Sequence, residues 1–97
     1  MYARVTTVTV QLDKVAEVTR IFNESIIPAV KAAPGNQENF LLINPATGAG
    51  FSMSLWHSEA DEQAYVSSSG YREQIAKVSQ FFAAPPSLAN YEVAAHG

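Results

Sequence analysis

The sequence predicts a single α+β domain of the split β-α-β type, with element order β-α-β-β-α-β. Three observations predict it. Residues 3–12 form a β-branched run without Gly or Pro; two further β runs flank a Pro/Gly turn at 44–48; and two stretches carry apolar residues at spacings of three and four. Right-handed crossovers then give a four-stranded antiparallel sheet with both helices on one face.

Strand one is expected over Ala3–Leu12. Its side chains divide into Ala3, Val5, Thr7 and Thr9 on one face and Arg4, Thr6, Val8 and Val10 on the other. Neither face is fully polar, so both are expected to be covered. Asp13 is a candidate N-cap for a helix whose stripe is Val15, Val18, Phe22, Ile26, Ala29 and Ala33. Pro28 lacks an N–H and crowds the carbonyl of Glu24, which predicts a kink or an early end there, and Pro34-Gly35 finishes the helix.

The second strand is expected at Phe40–Ile43, followed by a turn through Asn44-Pro45-Ala46-Thr47-Gly48 and a third strand from Gly50. In that third strand Phe51, Met53 and Leu55 alternate with Ser52, Ser54 and Trp56. The serine face leaves room beside the indole. Ser58-Glu59-Ala60-Asp61 resembles a capping box, and Ser67-Ser68-Ser69-Gly70 is expected to break the helix it starts. Tyr71, Ile75, Val78 and Phe82 then form a second stripe, stopped by Pro85-Pro86, before a last strand at Leu88–Ala95.

A chain of 97 residues holds one core, so residues 1–97 read as one domain. At this size folding buries only about 60 to 65% of the unfolded surface, and burial against a partner adds stability. With 47% apolar and 15% charged residues the chain is globular rather than disordered. The net charge is −3 and the six basic residues are scattered, which gives a polyanion nothing to bind. The chain has no cysteine, which fits a reducing cytoplasm, and no long apolar run that predicts a membrane span.

Most chemistry-bearing patterns fail on their residues. RNA-recognition domains share this element order, and Ala49-Gly50-Phe51-Ser52-Met53-Ser54 echoes their third strand. However, the second aromatic and the basic residue are missing there, and strand one has no ring to stack a base. His57 and His96 are the only histidines, too few to build a metal site. No Gly-x-Ser-x-Gly elbow surrounds Ser52, Ser54, Ser67, Ser68 or Ser69. Glu59, Asp61 and Glu62 are accounted for by the dipole of the helix they begin.

The element order, Pro34-Gly35, the T-G-x-G of Thr47 to Gly50 and the S-L-W-H-S-E of Ser54 to Glu59 resemble the antibiotic-biosynthesis-monooxygenase-like branch of the dimeric α/β barrels, over nearly the whole chain. That resemblance implies a ferredoxin-like fold dimerising sheet to sheet, with a pocket between sheet and helices. It implies Trp56, Tyr65 and Tyr71 as lining residues, beside the small Ser54. Members include cofactor-free oxygenases of aromatic polyketides and haem-degrading enzymes. The haem reading loses ground here. The helical histidine expected nine or ten residues after the tryptophan falls on Tyr65 and Val66, and the strand-one asparagine is replaced by Thr6, Thr7 and Thr9. After Pro34-Gly35 the chain has Asn36-Gln37-Glu38-Asn39 where the family usually has an aromatic or aliphatic residue, so a pocket mouth that is more polar or differently closed is expected.

The expectation is therefore a homodimeric, monooxygenase-like protein acting without metal, flavin or other cofactor on a small aromatic compound. The competing expectation is a non-catalytic ligand-binding or stress-associated homodimer whose rings fill the core, and whose cavity is too small for a ligand.

Overall fold

The computed structural model describes residues 1–97. Strands β1 (Tyr2–Thr9), β2 (Asn36–Ile43), β3 (Ala49–Trp56) and β4 (Ser87–Glu92) form one antiparallel sheet in the order β2-β3-β1-β4. Helices α1 (Val15–Ile21), α2 (Ile27–Lys31), α3 (Glu59–Val66) and α4 (Ser69–Ala76) complete the fold. No helix is long and apolar enough to cross a membrane.

β1 takes the sheet's centre because both its faces carry apolar groups. Arg4, Thr6 and Val8 share one face with Ser54, Ser52 and Gly50 of β3, while Ala3, Val5 and Thr7 lie with Leu55, Met53 and Phe51 on the other. The first face receives the helices. Val8 and Val10 meet Val18, Phe22, Ile26 and Val78 in a buried cluster, each side chain adding about 1.5 to 3 kcal/mol when taken fully out of water.

The first helical segment departs from expectation at its start, and its middle is irregular just before Pro28. Asp13 does not cap it: the chain enters through a 3-10 turn at Leu12–Lys14 preceded by Gln11, no side chain caps either start, and Asp13 is exposed within the first turn. Pro28 neither ends nor breaks the rod. Instead a π turn at Phe22–Ile26 joins α1 to α2, and the Ile27 N–H donates to the carbonyl five residues back, at Phe22. Widening the turn accommodates a residue that has no N–H to return to Glu24. The same turn holds Phe22 and Ile26 in the core.

β2 starts earlier than expected, at Asn36, because a bulge between Asn36 and Glu38 lets the polar segment continue the ladder with β3. α4 ends at Ala76, well before Pro85-Pro86, and a 3-10 turn at Ser79–Phe81 follows. β1 gives way to a single bridge, Val10 to Phe82, and β4 stops at Glu92.

Two glycines hold the connections that matter to the site. Gly48 has φ +79°, and a Cβ there would run into the Val10 carbonyl. Gly35 has φ +81°, leaves its Cβ space to the Asp61 side chain, and accepts from the His57 N–H at 2.7 Å. This last bond ties the α2–β2 corner to the end of β3, where α3 begins.

Candidate functional site

Between the sheet and the helices lies a cavity of about 110 Å³. Its walls are mostly apolar, with Val8, Phe22, Ile26 and Val78 among them, and its polar edge is formed by Arg4, Thr6, Ser52, Ser54, Tyr65 and Tyr71.

A short serine segment sets the positions of the two tyrosines. α3 is capped by Ser58, whose hydroxyl accepts from the Asp61 N–H at 3.2 Å, as the capping-box reading predicts. The helix ends at Val66, and Ser68 turns the chain. Its hydroxyl donates to the Tyr65 carbonyl at 2.6 Å and accepts from the Tyr71 N–H at 3.2 Å, capping α4. One hydroxyl thus fixes the backbone of both tyrosines. From the other side, the Ser25 hydroxyl on the π turn donates to Gln74 Oε1 at 2.8 Å, clamping α4 against the first helical rod.

The rings continue the chain of contacts. Trp56 is fully buried and donates from Nε1 to the Ser54 hydroxyl at 2.9 Å. Tyr65 lies over it, with centroids 5.6 Å apart, and Tyr71 meets Tyr65 edge to face at 5.7 Å and 73°. Arg4 closes the row, its guanidinium carbon 5.3 Å from the Tyr71 ring centre. Tyr65, Tyr71 and Ser54 line the cavity. Trp56 does not: it stands behind Tyr65 as a packing partner, its single donor spent on Ser54.

The polar end of the site joins Arg4, Tyr71 and Glu62, a combination the sequence does not single out. Arg4 donates from one terminal nitrogen to Glu62 Oε2 at 2.9 Å and from the other to the Tyr71 hydroxyl at 2.9 Å. Glu62 stands in the first turn of α3, as the dipole reading expects, and it is completely buried. The helix does begin three residues before it, yet its side chain turns inward because three donors await there. Besides Arg4, Gln63 Nε2 donates at 2.7 Å and Asn90 Nδ2 of β4 at 3.3 Å. No buried side-chain polar atom lacks a partner, so the ion pair meets the condition under which burial of charge is tolerated.

Burial pushes the Tyr65 hydroxyl above its ordinary pKa of 10.0, and neighbouring Tyr71 adds in the same direction. Tyr65 therefore remains a neutral hydroxyl at any pH near neutrality. Nowhere do three His, Cys, Asp or Glu side chains gather as metal ligands. Asn39, from the segment expected to make the mouth polar, lines the cavity, but its amide is exchanged in mutual hydrogen bonds with Asn36 at 2.8 and 2.9 Å.

The model of the family described as antibiotic biosynthesis monooxygenase matches residues 1–77. No curated protein matches the chain. Among solved structures, the chain is similar to an antibiotic-biosynthesis-monooxygenase-type protein from Nitrosomonas europaea, at 17% identity and a TM-score of 0.81, covering 98% of this chain and 100% of that one. Similar proteins from Bordetella bronchiseptica (17% identity, TM-score 0.82, 94% of each chain) and Caulobacter crescentus (18%, 0.82, 97% of this chain and 90% of that one) share the fold. At such identities the likeness is one of fold, and it agrees with the ferredoxin-like α+β arrangement described above.

Proposed function

Since the chain belongs to the antibiotic biosynthesis monooxygenase family, we propose that it is a monooxygenase-like protein that takes a single-ring phenol between sheet and helices and oxygenates it without metal or flavin. The observation that carries this reading is the Glu62–Arg4–Tyr71 chain at the edge of an apolar cavity. Arg4 donates to the Tyr71 oxygen, so the tyrosine's own proton is free to bind a ligand oxygen. A guanidinium one bond behind that donor favours negative charge on the ligand, and fixed donors aimed at a developing oxyanion act strongly where water is excluded.

The chemistry balances without an added reductant. A phenol and O₂ give a quinone and water: one oxygen atom becomes the new ring carbonyl, while the other leaves with the ring C–H and phenolic hydrogens. The phenol supplies the electrons. The chain's residues hold the ring, exclude water and stabilise the phenolate through Tyr71, roles suited to a site made of packed rings and one charged pair.

Oxygen uptake with a panel of single-ring phenols tests the proposal. Wild-type protein is expected to consume one O₂ per quinone formed, and Tyr71→Phe to lower the rate by about a hundredfold, the usual loss for one oxyanion donor. No uptake across the panel, or equal rates for both proteins, would overturn it.

A second reading, a ligand-binding or stress-associated protein without catalysis, is favoured by the volume of the cavity. At about 110 Å³ it is well below the roughly 300 to 1,000 Å³ of ordinary ligand pockets. Absence of both phenol binding and oxygen uptake in the folded protein would select this reading.

The proposed partner is a second copy of the chain. The sheet face away from the helices carries Phe40, Leu42, Phe51 and Tyr91, exposed by 39 to 57%, next to Val5, Met53 and Leu55 in neighbouring registers. Contiguous apolar surface of this kind is uncommon on a lone soluble subunit and marks an interaction face.

A further inference from the structure

We propose that Phe82 determines the size of ligand this chain accepts, by dividing one apolar cleft into an inner and an outer hollow. The inference rests on the reading above, in which the inner hollow is the binding site. That hollow measures about 110 Å³, and a second of about 320 Å³ lies beside it. Ile75, Phe82 and Pro86 belong to the walls of both, so these three side chains form the partition.

Of the three, Phe82 carries the largest side chain and makes most of the partition. Pro86 is a fixed ring, and Ile75 is a β-branched residue on α4, stiff about its first torsion. Phe82 follows a 3-10 turn and its backbone is anchored on both sides. Gln11 N–H donates to the Phe81 carbonyl at 2.9 Å, Ala83 N–H donates to the Thr9 carbonyl at 2.7 Å, and Phe82 itself bridges to Val10. The benzyl group is only partly buried and packs against the edge of the core cluster, so truncating it leaves these backbone bonds in place. Beyond it the outer hollow is lined by Ser79, Ala83, Ala84 and Pro85, too small to refill the space a removed ring leaves.

Volume supplies the functional consequence. A cavity of about 150 Å³ takes benzene, so the inner hollow suits one ring after slight expansion, whereas fused rings need the outer space as well. With Phe82 in place the chain selects single rings. Without it the two hollows join and reach the size range of common ligand pockets.

Equilibrium dialysis of wild type, Phe82→Ala and Phe82→Leu against phenol, naphthol and hydroxyanthracene tests this, with circular dichroism as the check on folding. Wild type is expected to bind phenol best. Phe82→Ala is expected to tighten hydroxyanthracene by about tenfold or more and to weaken phenol, which loses one wall of its hollow, in line with the discrimination apolar pockets achieve by shape. Phe82→Leu, which keeps more of the core packing, is expected to fall between them and stands in if the alanine variant does not fold. Phenol binding with an unaltered ring-size preference in a folded variant overturns the partition and leaves the phenol site standing. Failure of every protein to bind any of the three compounds overturns the phenol site and the partition with it.

Discussion

Arg4→Met is expected to cost about 3 kcal/mol, because it leaves the fully buried Glu62 carboxylate without its cation. For a domain of this size that is a fall in melting temperature of roughly 12 to 24 °C. Gln63 and Asn90 would still donate to Glu62, but two neutral amides do not replace a guanidinium held at 2.9 Å. The double change Arg4→Met with Glu62→Leu is expected to recover most of the loss, since a buried pair replaced as a unit by apolar groups is often nearly neutral. Thermal unfolding of the single and double variants measures both. A single variant as stable as wild type would show that the pair does not hold α3 to β1.

The second large effect belongs to the outer face of the sheet. Phe51 pairs with Leu42 on one side and Thr7 on the other, near the middle of the exposed apolar surface. Phe51→Glu is expected to convert a dimer into a folded monomer at micromolar concentration, because a carboxylate pressed against a facing sheet would lose its water without gaining a partner. Sedimentation velocity of wild type and variant reads the outcome. A wild-type monomer under the same conditions would sink the pairing proposal.

Local signals carried the fold. Alternation in β1 placed apolar groups on both faces of the strand, the small Ser52 and Ser54 announced space on the helix side of β3, and Ser58 and Ser68 cap helices because a short hydroxyl bonds the next turn's N–H wherever the chain offers it. Details set by several elements together were hidden. Pro28 reads as a breaker from its own chemistry, yet the packing of Phe22 and Ile26 holds the rod together and converts the break into a π turn.

The polar end of the site was hidden for the same reason. Arg4 and Glu62 lie 58 positions apart, and Asn90 joins them from the last strand. A glutamate in a first helical turn already has a sufficient local explanation, so nothing nearby flags it as buried. The aromatic end was partly legible: the tyrosines could be placed on the helices after Trp56. What spacing could not show is that Tyr65 would screen the indole from the cavity, since that depends on the corner at Ser68.

The central claim is that the Arg4–Tyr71 end of the cavity holds a phenolic oxygen, and a crystal soaked with 4-bromophenol tests it most directly because bromine marks the ring. The expected result is an anomalous peak between the sheet and α4, with the phenol oxygen in hydrogen-bond range of the Tyr71 hydroxyl. Bromine found only on the outer surface, with the cavity unchanged at full soak, would contradict it.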